Sequence, residues 1–172
     1  MKILLIGSSG QLGSQFLLLK NRYNFDFIIP TSKELDITNI KDLEGFFGEH
    51  SFDLVLNFSA FTNVDNAEDN LNLALEVNHL AIKNLISMTN LYHSPLIHIS
   101  TDYVFGKYSG APFDVGSKVG AINNYGFSKL LGEEEIINNS RKAIIIRTAS
   151  LYGNYKNNFL KTFIDILISK KT

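Results

Sequence analysis

Short apolar segments alternate with longer amphipathic segments along this chain of 172 residues, and this order constrains the fold more than any other feature. The apolar segments are residues 3–6, 25–29, 54–58, 96–99 and 143–146. They are mostly apolar throughout instead of alternating apolar with polar residues, as expected of strands that are covered on both faces. The sequence therefore predicts a buried parallel sheet.

The intervening segments carry apolar residues at helical spacing. Helices are predicted at residues 11–20, 39–47, 69–91, 124–138 and 158–169. When strands and helices alternate along a chain, the helices cover both faces of a parallel sheet. We predict an α/β fold of the Rossmann type, a doubly wound parallel sheet in a three-layer αβα arrangement, with residues 1–172 as one domain.

Composition excludes several classes of function. The net charge is −1 and the Lys and Arg residues are dispersed, which argues against a nucleic-acid polymer or a membrane surface as the partner. No segment approaches the roughly 20 apolar residues that span a bilayer. The chain has no cysteine, which excludes disulfides and thiolate metal sites and fits a reducing compartment. We expect a cytoplasmic protein.

A glycine-rich turn joins the first predicted strand to the first predicted helix. Gly7, Gly10 and Gly13 follow the spacing G-x-x-G-x-x-G. In such a loop the first glycine permits the tight turn, the second lets the backbone approach a pyrophosphate, and the third lets helix and strand pack closely. The free N–H groups of the helix then face the anion. A plain glycine turn is the alternative, but this position favours an NAD(P)-binding domain.

The end of the second strand bears on which nicotinamide cofactor is bound. The segment IIPTSKE has no carboxylate at the strand tip to hold the ribose 2′-hydroxyl of NAD. Thr31, Ser32 and Lys33 could instead accept the 2′-phosphate of NADP. We therefore expect NADPH or NADH as cofactor, with NADPH at least tolerated. Lys33 could equally be a solvated loop lysine, and both interpretations stay open.

Tyrosine and lysine occur four residues apart three times in the chain. The pairs are Tyr103 with Lys107, Tyr125 with Lys129, and Tyr152 with Lys156. A tyrosine that acts as a proton donor needs a nearby positive charge, and residues four apart share one face of a helix. Only Tyr125 and Lys129 fall in a predicted helix, whereas the other pairs lie beside glycines in loops. The sequence context therefore selects Tyr125 and Lys129.

The fourth predicted strand runs out at Thr101 and Asp102, at the carboxyl edge of the sheet. Ligands of open α/β sheets bind at this edge. The Thr101 hydroxyl can hydrogen-bond a substrate oxygen beside Tyr125. Thr101, Tyr125 and Lys129 are therefore the predicted catalytic residues.

Several motifs together resemble one family. They are GSSGQLG, LDIT, NFSAFTNVDNAE, VN, HISTDYVFG, NNYGFSK, RTASLYG and NNFLKT, in this order. The same order is found in the dTDP-4-dehydrorhamnose reductases, which are extended short-chain dehydrogenases/reductases. The resemblance extends over nearly the whole chain.

The resemblance implies roles for the predicted residues. Tyr125 would donate a proton to the C4 carbonyl of a nucleotide-linked 4-keto-6-deoxysugar, and Thr101 would bind the same oxygen. Lys129 would hold the nicotinamide ribose and lower the pKa of Tyr125, and Asp102 would contact the sugar. Further cofactor contacts would come from Gln11, Leu12, Asp36, Ile37, Ala60, Phe61 and Thr62. The substrate would be a nucleotide sugar of the dTDP-rhamnose and surface polysaccharide pathways.

The resemblance leaves alternatives open. In the similar 4,6-dehydratases a Glu follows the Thr-Asp pair, and here Tyr103 stands in its place, which favours reduction. A non-catalytic NADP-binding regulatory subunit, or another sugar-nucleotide epimerase or dehydratase, is the alternative. Ser150 stands where the reductases usually carry Trp, so the nucleotide base stays open.

The family's C-terminal substrate-binding domain is expected to be absent from this chain. An exposed sheet edge would then invite association, and a homodimer is possible. We predict no metal site. The run Glu133, Glu134 and Glu135 is interpreted as a solvated helix face, and His98 as a core or groove residue. The predicted caps of the long helix are Asp65, Glu68 and Asp69.

Overall fold

A single parallel sheet forms the centre of the molecule in a computed structural model that describes residues 1–107, 112–156 and 158–169. Its strands are β1 (Lys2–Ile6), β2 (Asp26–Ile28), β3 (Leu54–Asn57), β4 (Leu96–Thr101) and β5 (Ala143–Thr148). In space they lie in the order β2-β1-β3-β4-β5, and every neighbouring pair is parallel. The chain therefore reverses its direction of winding between β1 and β3, which is where open α/β sheets bind ligands.

Helices connect the strands. They are α1 (Gln11–Leu19), α2 (Ile40–Glu49), α3 (Val64–Asp69), α4 (Leu71–Leu75), α5 (Ala81–Leu91), α6 (Asn124–Asn139) and α7 (Phe159–Ser169). Short 3-10 turns occupy Lys20–Arg22 and Asp102–Phe105, and a wider π turn, Glu76–Leu80, joins α4 to α5. The predicted doubly wound α/β fold is confirmed. No helix within the described ranges is both long and apolar enough to cross a membrane.

The core consists of two apolar layers, one on each face of the sheet. Leu4 and Ile6 of β1 belong to the larger layer, which includes buried side chains of α2 and α5. Ile3 and Leu5 point to the opposite face and pack with Phe16 of α1. Because β1 is covered on both faces, its side chains are apolar at every buried position instead of alternating with polar ones.

The edge strand β5 departs from the prediction of strands buried on both faces. Ile144 and Ile146 remain 58% and 42% exposed. They pair in register with Ile97 and Ile99 of β4, and Ile97 packs on the α1 side of the sheet. None of the side chains of α7 is buried. Apolar surface therefore remains exposed on β5 and on α7.

The segment predicted as one long helix at residues 69–91 is divided in the structure. Asn70, at φ −129° and ψ 53°, interrupts the helix between α3 and α4. Asn63 caps α3, its side-chain oxygen accepting a hydrogen bond from the Asn66 amide at 3.0 Å. The predicted capping role of the acidic residues is therefore wrong. They lie inside α3, where Asp65 occupies the first turn.

Candidate active site

A cleft of about 870 Å³ lies at the carboxyl ends of the strands. Among the predicted residues it is lined by Gly7, Gly10, Gln11, Leu12, Thr31, Ser32, Asp36, Ile37, Ala60, Thr62, Thr101, Asp102, Tyr125 and Lys129. Gly13, Lys33 and Phe61 do not line it. The fold thus brings the glycine loop and the predicted catalytic residues, which are far apart in sequence, into one cavity.

The glycine loop is closed by its own backbone. Gly7 has φ +81°, and a Cβ there would meet the backbone of Phe58 and Ser59. The Gly10 amide donates to the Gly7 carbonyl at 3.1 Å. A Cβ on Gly13 would meet that same carbonyl and would lie 2.6 Å from the Ser8 Cα. Gly13 therefore lets α1 approach the loop from behind, which is why it does not line the cleft.

The beginning of α1 presents hydrogen-bond donors to the cleft. Gly10 is its N-cap, so no side chain caps the first-turn amides. The Gln11 Nε2 group is buried and has no hydrogen-bond partner among the described residues. Free amides, an unpaired donor and the positive end of a helix favour an anion at this point. The loop therefore fits the pyrophosphate of a dinucleotide.

The loop after β2 folds back so that the Glu34 carboxylate contacts Thr31, near the end of the strand. The sequence alone had indicated no carboxylate at this end. Glu34 Oε2 accepts hydrogen bonds from the Thr31 amide at 2.8 Å and from the Thr31 hydroxyl at 2.9 Å. These bonds lower the pKa of Glu34. The Thr31 hydroxyl is thus bonded to Glu34. Thr31 and Ser32 both line the cleft, whereas Lys33 does not.

Tyr125 lies in the first turn of α6, beside the end of β4. Burial raises its pKa, a hydrogen bond with Thr101 acts in the opposite direction, and the charges of Asp102 and Tyr103 raise it further. The Tyr103 ring packs edge-on against the Tyr125 ring, with centroids 5.5 Å apart. Tyr125 is therefore protonated at neutral pH and is held beside Thr101, as a proton donor must be.

Lys129 is only 1% exposed and faces β4. Its Nζ donates to the Ile99 carbonyl at 2.7 Å and lies 3.0 Å from His98 Nε2. Burial lowers the pKa of Lys129 to about 7, against a smaller opposing effect of Glu133. The expected lowering of the Tyr125 pKa by Lys129 is not found in this arrangement, in which the groups that influence Tyr125 are Thr101, Asp102 and Tyr103.

Asn78, in the π turn before α5, was not predicted as a functional residue. Its side-chain oxygen accepts from the Phe61 amide at 2.9 Å, and its Nδ2 donates to the Phe61 carbonyl at 3.0 Å and to Ser128 Oγ at 2.9 Å. Ser128 in turn donates to the Tyr125 carbonyl at 2.8 Å. Asn78 therefore connects the loop after β3 to the beginning of α6. The sequence signal for Asn78 was the motif VN, which carried the family resemblance without indicating what the side chain does.

Glu133 is fully buried, so the prediction of a solvated acidic face is wrong for this residue. Arg147 of β5 donates to both carboxylate oxygens, from Nη2 at 2.6 Å and from Nε at 3.0 Å. The guanidinium also lies 4.8 Å from the centroid of the Phe105 ring. This ion pair fixes α6 to β5 behind the cleft.

Comparison with known proteins places the chain in a family. A family model described as the RmlD substrate binding domain matches residues 1–172. The chain belongs to the RmlD family. This confirms the resemblance that was predicted from the motifs.

Curated relatives of this RmlD-family chain include two bacterial proteins. A dTDP-4-dehydrorhamnose reductase of Aggregatibacter actinomycetemcomitans is 32% identical over 164 residues, which are 95% of this chain and 56% of the relative. The spore coat polysaccharide biosynthesis protein SpsK of Bacillus subtilis is 31% identical over 170 residues, 99% of this chain and 60% of SpsK. The chain thus spans 56 to 60% of the length of these relatives.

Solved structures of RmlD-type proteins have the same fold. A dTDP-4-dehydrorhamnose reductase of Clostridium acetobutylicum superposes with a TM-score of 0.92 at 37% identity, over 98% of this chain and 60% of that one. A Bacillus anthracis dTDP-4-dehydrorhamnose reductase, solved in complex with NADP, gives 0.90 at 35% identity, over 96% and 59% of the two chains.

Proposed function

We propose that this chain carries the cofactor site and the catalytic groups of a cytoplasmic NAD(P)H-dependent reductase. The reaction would reduce the C4 carbonyl of a nucleotide-linked 4-keto-6-deoxysugar, as in a dTDP-4-dehydrorhamnose reductase. The observation that carries the proposal is that Thr101, Tyr125 and Lys129 line the same cleft as the glycine loop. The reductases among the relatives support the choice of reaction.

Tyr125 is the proton donor in this proposal. A bound nicotinamide cofactor would supply a hydride to the carbonyl carbon. Tyr125 gives its proton to the carbonyl oxygen as negative charge develops there, and the Thr101 hydroxyl binds the same oxygen. Burial keeps the pKa of Tyr125 above its ordinary value, so the proton is present when the substrate arrives. Asp102, which accepts a hydrogen bond from Thr101 at 3.2 Å, is positioned to bind the sugar.

Reduction is favoured over dehydration by the residue after Asp102. The resembling dehydratases carry a Glu at this position, which acts as a base during water elimination. Tyr103 has no carboxylate, and its ring packs against Tyr125. Elimination would lack its carboxylate base here, whereas reduction needs from the protein only a proton, which Tyr125 carries, and would take its hydride from the nicotinamide cofactor.

Tyr125→Phe tests the proposed proton donor. We expect it to lower the rate of NADPH oxidation with dTDP-4-dehydrorhamnose by about 10²- to 10⁴-fold, because general acid catalysis contributes this much. Tyr152→Phe is the matched control. It belongs to the third Tyr–Lys pair, is exposed and lies outside the cleft, and should leave the rate unchanged. Turnover is measured in the full-length gene product by the absorbance of NADPH. Binding of NADPH is measured in this chain by fluorescence.

Two results would contradict this assignment. Equal rates for Tyr125→Phe and the wild type would exclude Tyr125 as the donor. NADPH binding without oxidation, with any 4-ketosugar nucleotide, would instead favour a non-catalytic NADP-binding subunit.

Lys33 is proposed to contact the 2′-phosphate of NADPH from the rim of the cleft. It follows Ser32, which lines the cleft, and the neighbouring Glu34 carboxylate is bound to Thr31. Lys33→Ala is then expected to weaken NADPH binding about tenfold, which is the size of one charged hydrogen bond. NADH, which lacks the phosphate, is the matched control ligand and should bind equally to both proteins. An unchanged NADPH affinity would identify Lys33 as a solvated loop lysine.

A further inference from the structure

Asn57, His98 and Lys129 form a buried hydrogen-bonded line across β3, β4 and α6. All three side chains are at most 1% exposed. Asn57 Nδ2 lies 3.1 Å from His98 Nδ1, and His98 Nε2 lies 3.0 Å from Lys129 Nζ. Each nitrogen of the line must be either donor or acceptor, and a buried mismatch is costly. The line therefore restricts the protonation states of its members.

The orientation of the Asn57 amide is determined at one end of the line. The Ser59 backbone amide donates to Asn57 Oδ1 at 3.1 Å, and the Ser59 hydroxyl lies 2.6 Å from the same oxygen. A backbone N–H can only donate, so Oδ1 must face Ser59. Asn57 Nδ2 is thereby turned towards His98. This assignment follows from the hydrogen-bond partners, as amide orientations generally must.

The histidine tautomer follows from the amide. Because Asn57 Nδ2 donates, His98 Nδ1 must accept and carries no hydrogen. A neutral imidazole has one N–H, which is then on Nε2 and points at Lys129. Lys129 Nζ must accept this hydrogen with a lone pair, which an ammonium group does not have. Its own hydrogens remain available to donate, one of them to the Ile99 carbonyl at 2.7 Å.

A charged Lys129 would conflict with the rest of the line. The ammonium would donate to Nε2, so the imidazole hydrogen would move to Nδ1 and would face the Asn57 N–H donors. Turning the Asn57 amide over would relieve that conflict but would set its NH₂ group against the Ser59 amide. Either arrangement sets two donors against each other: both are buried in the first, and in the second the buried Asn57 NH₂ group faces the part-buried Ser59 amide. Only the neutral amine satisfies all of these contacts.

The charges around Lys129 do not reverse this conclusion. On its own helix the nearest carboxylate is Glu133, which is neutralised by the bidentate ion pair with Arg147 of β5. On β4 the facing titratable group is His98, whose pKa is lowered well below its ordinary value, mainly by burial. The pKa of Lys129 is itself lowered to about 7 by burial.

We propose that Asn57 and His98 are positioning residues that hold Lys129 as a neutral amine in the cofactor-free chain, through the hydrogen-bond line that begins at the Ser59 amide. The use of Lys129 in the reaction rests on the proposed function. The negative charge of a dinucleotide bound beside Lys129 would offset the cost of the opposed donors in the line. Lys129 would then take up one proton from solvent, and its ammonium group could donate a hydrogen bond to a ribose hydroxyl.

The proton positions can be measured by NMR in the cofactor-free chain. In ¹⁵N-labelled protein we expect the His98 ring to show the Nε2–H tautomer, with Nδ1 unprotonated. In ¹³C-labelled protein the Lys129 Cε signal should titrate with a midpoint near pH 7, the value to which burial lowers its pKa. An Nδ1–H tautomer, or a Lys129 that remains charged up to pH 9, would overturn the proposal. Neither measurement needs cofactor or substrate, so its failure is distinct from failure of the proposed function.

Asn57→Asp is expected to reverse the donors and acceptors along the hydrogen-bonded line. Both carboxylate oxygens only accept, so His98 should switch to the Nδ1–H tautomer and its Nε2 should accept from a charged Lys129. The midpoint of the Lys129 titration should rise by about one pH unit or more. Asn72→Asp, the same change at an exposed position of α4, is the matched control and should alter neither signal. An unchanged tautomer in folded Asn57→Asp would overturn the proposal, and if this variant does not fold, the wild-type spectra decide.

Discussion

At Lys129, burial and charge conflict. This residue of α6 is buried against β4, and burial lowers its pKa from 10.5 to about 7. Between these two values the unfolded chain binds one more proton at this lysine than the folded chain does. The free energy of unfolding therefore rises with pH between about 7 and 10.5. The stability gained from a neutral Lys129 is fully present above about pH 10.5 and is lost as the pH falls through about 7.

Lys129→Met should remove this dependence on pH. As the pH falls from alkaline to mildly acidic, we expect the free energy of unfolding of the variant to increase relative to that of the wild type by on the order of 5 kcal/mol. Urea unfolding of both proteins at several pH values in this range measures it. Lys83→Met, at an exposed position of α5, is the control and should give a difference that does not vary with pH. A constant difference for Lys129→Met as well would show that Lys129 is charged in the folded chain.

At the scale of elements, the approach of α6 to the π turn determines the position of Tyr125 and Lys129. Gly132 of α6 lies against the Asn78 carbonyl, which a Cβ at this position would meet. The same turn holds the Asn78 side chain, which bonds to Ser128 and to Phe61. A side chain at residue 132 would therefore move α6 away from the loop after β3.

Gly132→Ala is expected to destabilise the fold by about 1–3 kcal/mol, the usual cost of an overpacked core position. Gly45→Ala is the matched control, because Gly45 lies within α2 and a Cβ there meets nothing within 4 Å. It should stabilise the fold by about 0.5–1 kcal/mol through the better helix propensity of Ala. Denaturant unfolding compares the two variants, and equal effects would contradict the close approach of α6.

At the scale of the whole molecule, the apolar residues of β5 and α7 are exposed to solvent and form a candidate interaction surface. Phe163 and Ile166 of α7 are about half exposed, and Ile144 of β5 is 58% exposed. Apolar surface of this kind is unusual on a monomer and marks an interaction surface. Within the described residues β5 pairs with β4 alone, and a strand edge of this kind adds to the tendency to associate.

We expect the chain to self-associate with increasing concentration in sedimentation velocity. The double substitution Phe163→Lys with Ile166→Glu should reduce association, because it introduces charges on α7 that can pair with each other at this spacing. Leu91→Lys is the control: Leu91 is a residue of α5, outside β5 and α7, and is 65% exposed, so this change should have no effect. A wild-type chain that remains monomeric at high concentration would contradict this prediction.

The proposed catalytic residues could be selected from the sequence because each belongs to a local pattern. Tyr125 and Lys129 are one helical turn apart, and Thr101 ends an apolar strand. The residues that were missed have partners far away along the chain. Asn57 lies 41 residues from His98, and His98 lies 31 residues from Lys129. A polar residue in an apolar strand does not indicate by itself which side chain satisfies it.

The amino-acid sequence by itself determined the α/β class, the strand order along the chain and the glycine loop, because these depend on short-range apolar patterns and on backbone sterics. Only the tertiary structure decided which polar groups are buried together. Burial makes Glu133 a partner of Arg147 and lowers the pKa of Lys129, since desolvation depends on neighbours from other elements. The same holds for β5 and α7: their sequences are as apolar as buried elements, and only packing leaves them exposed.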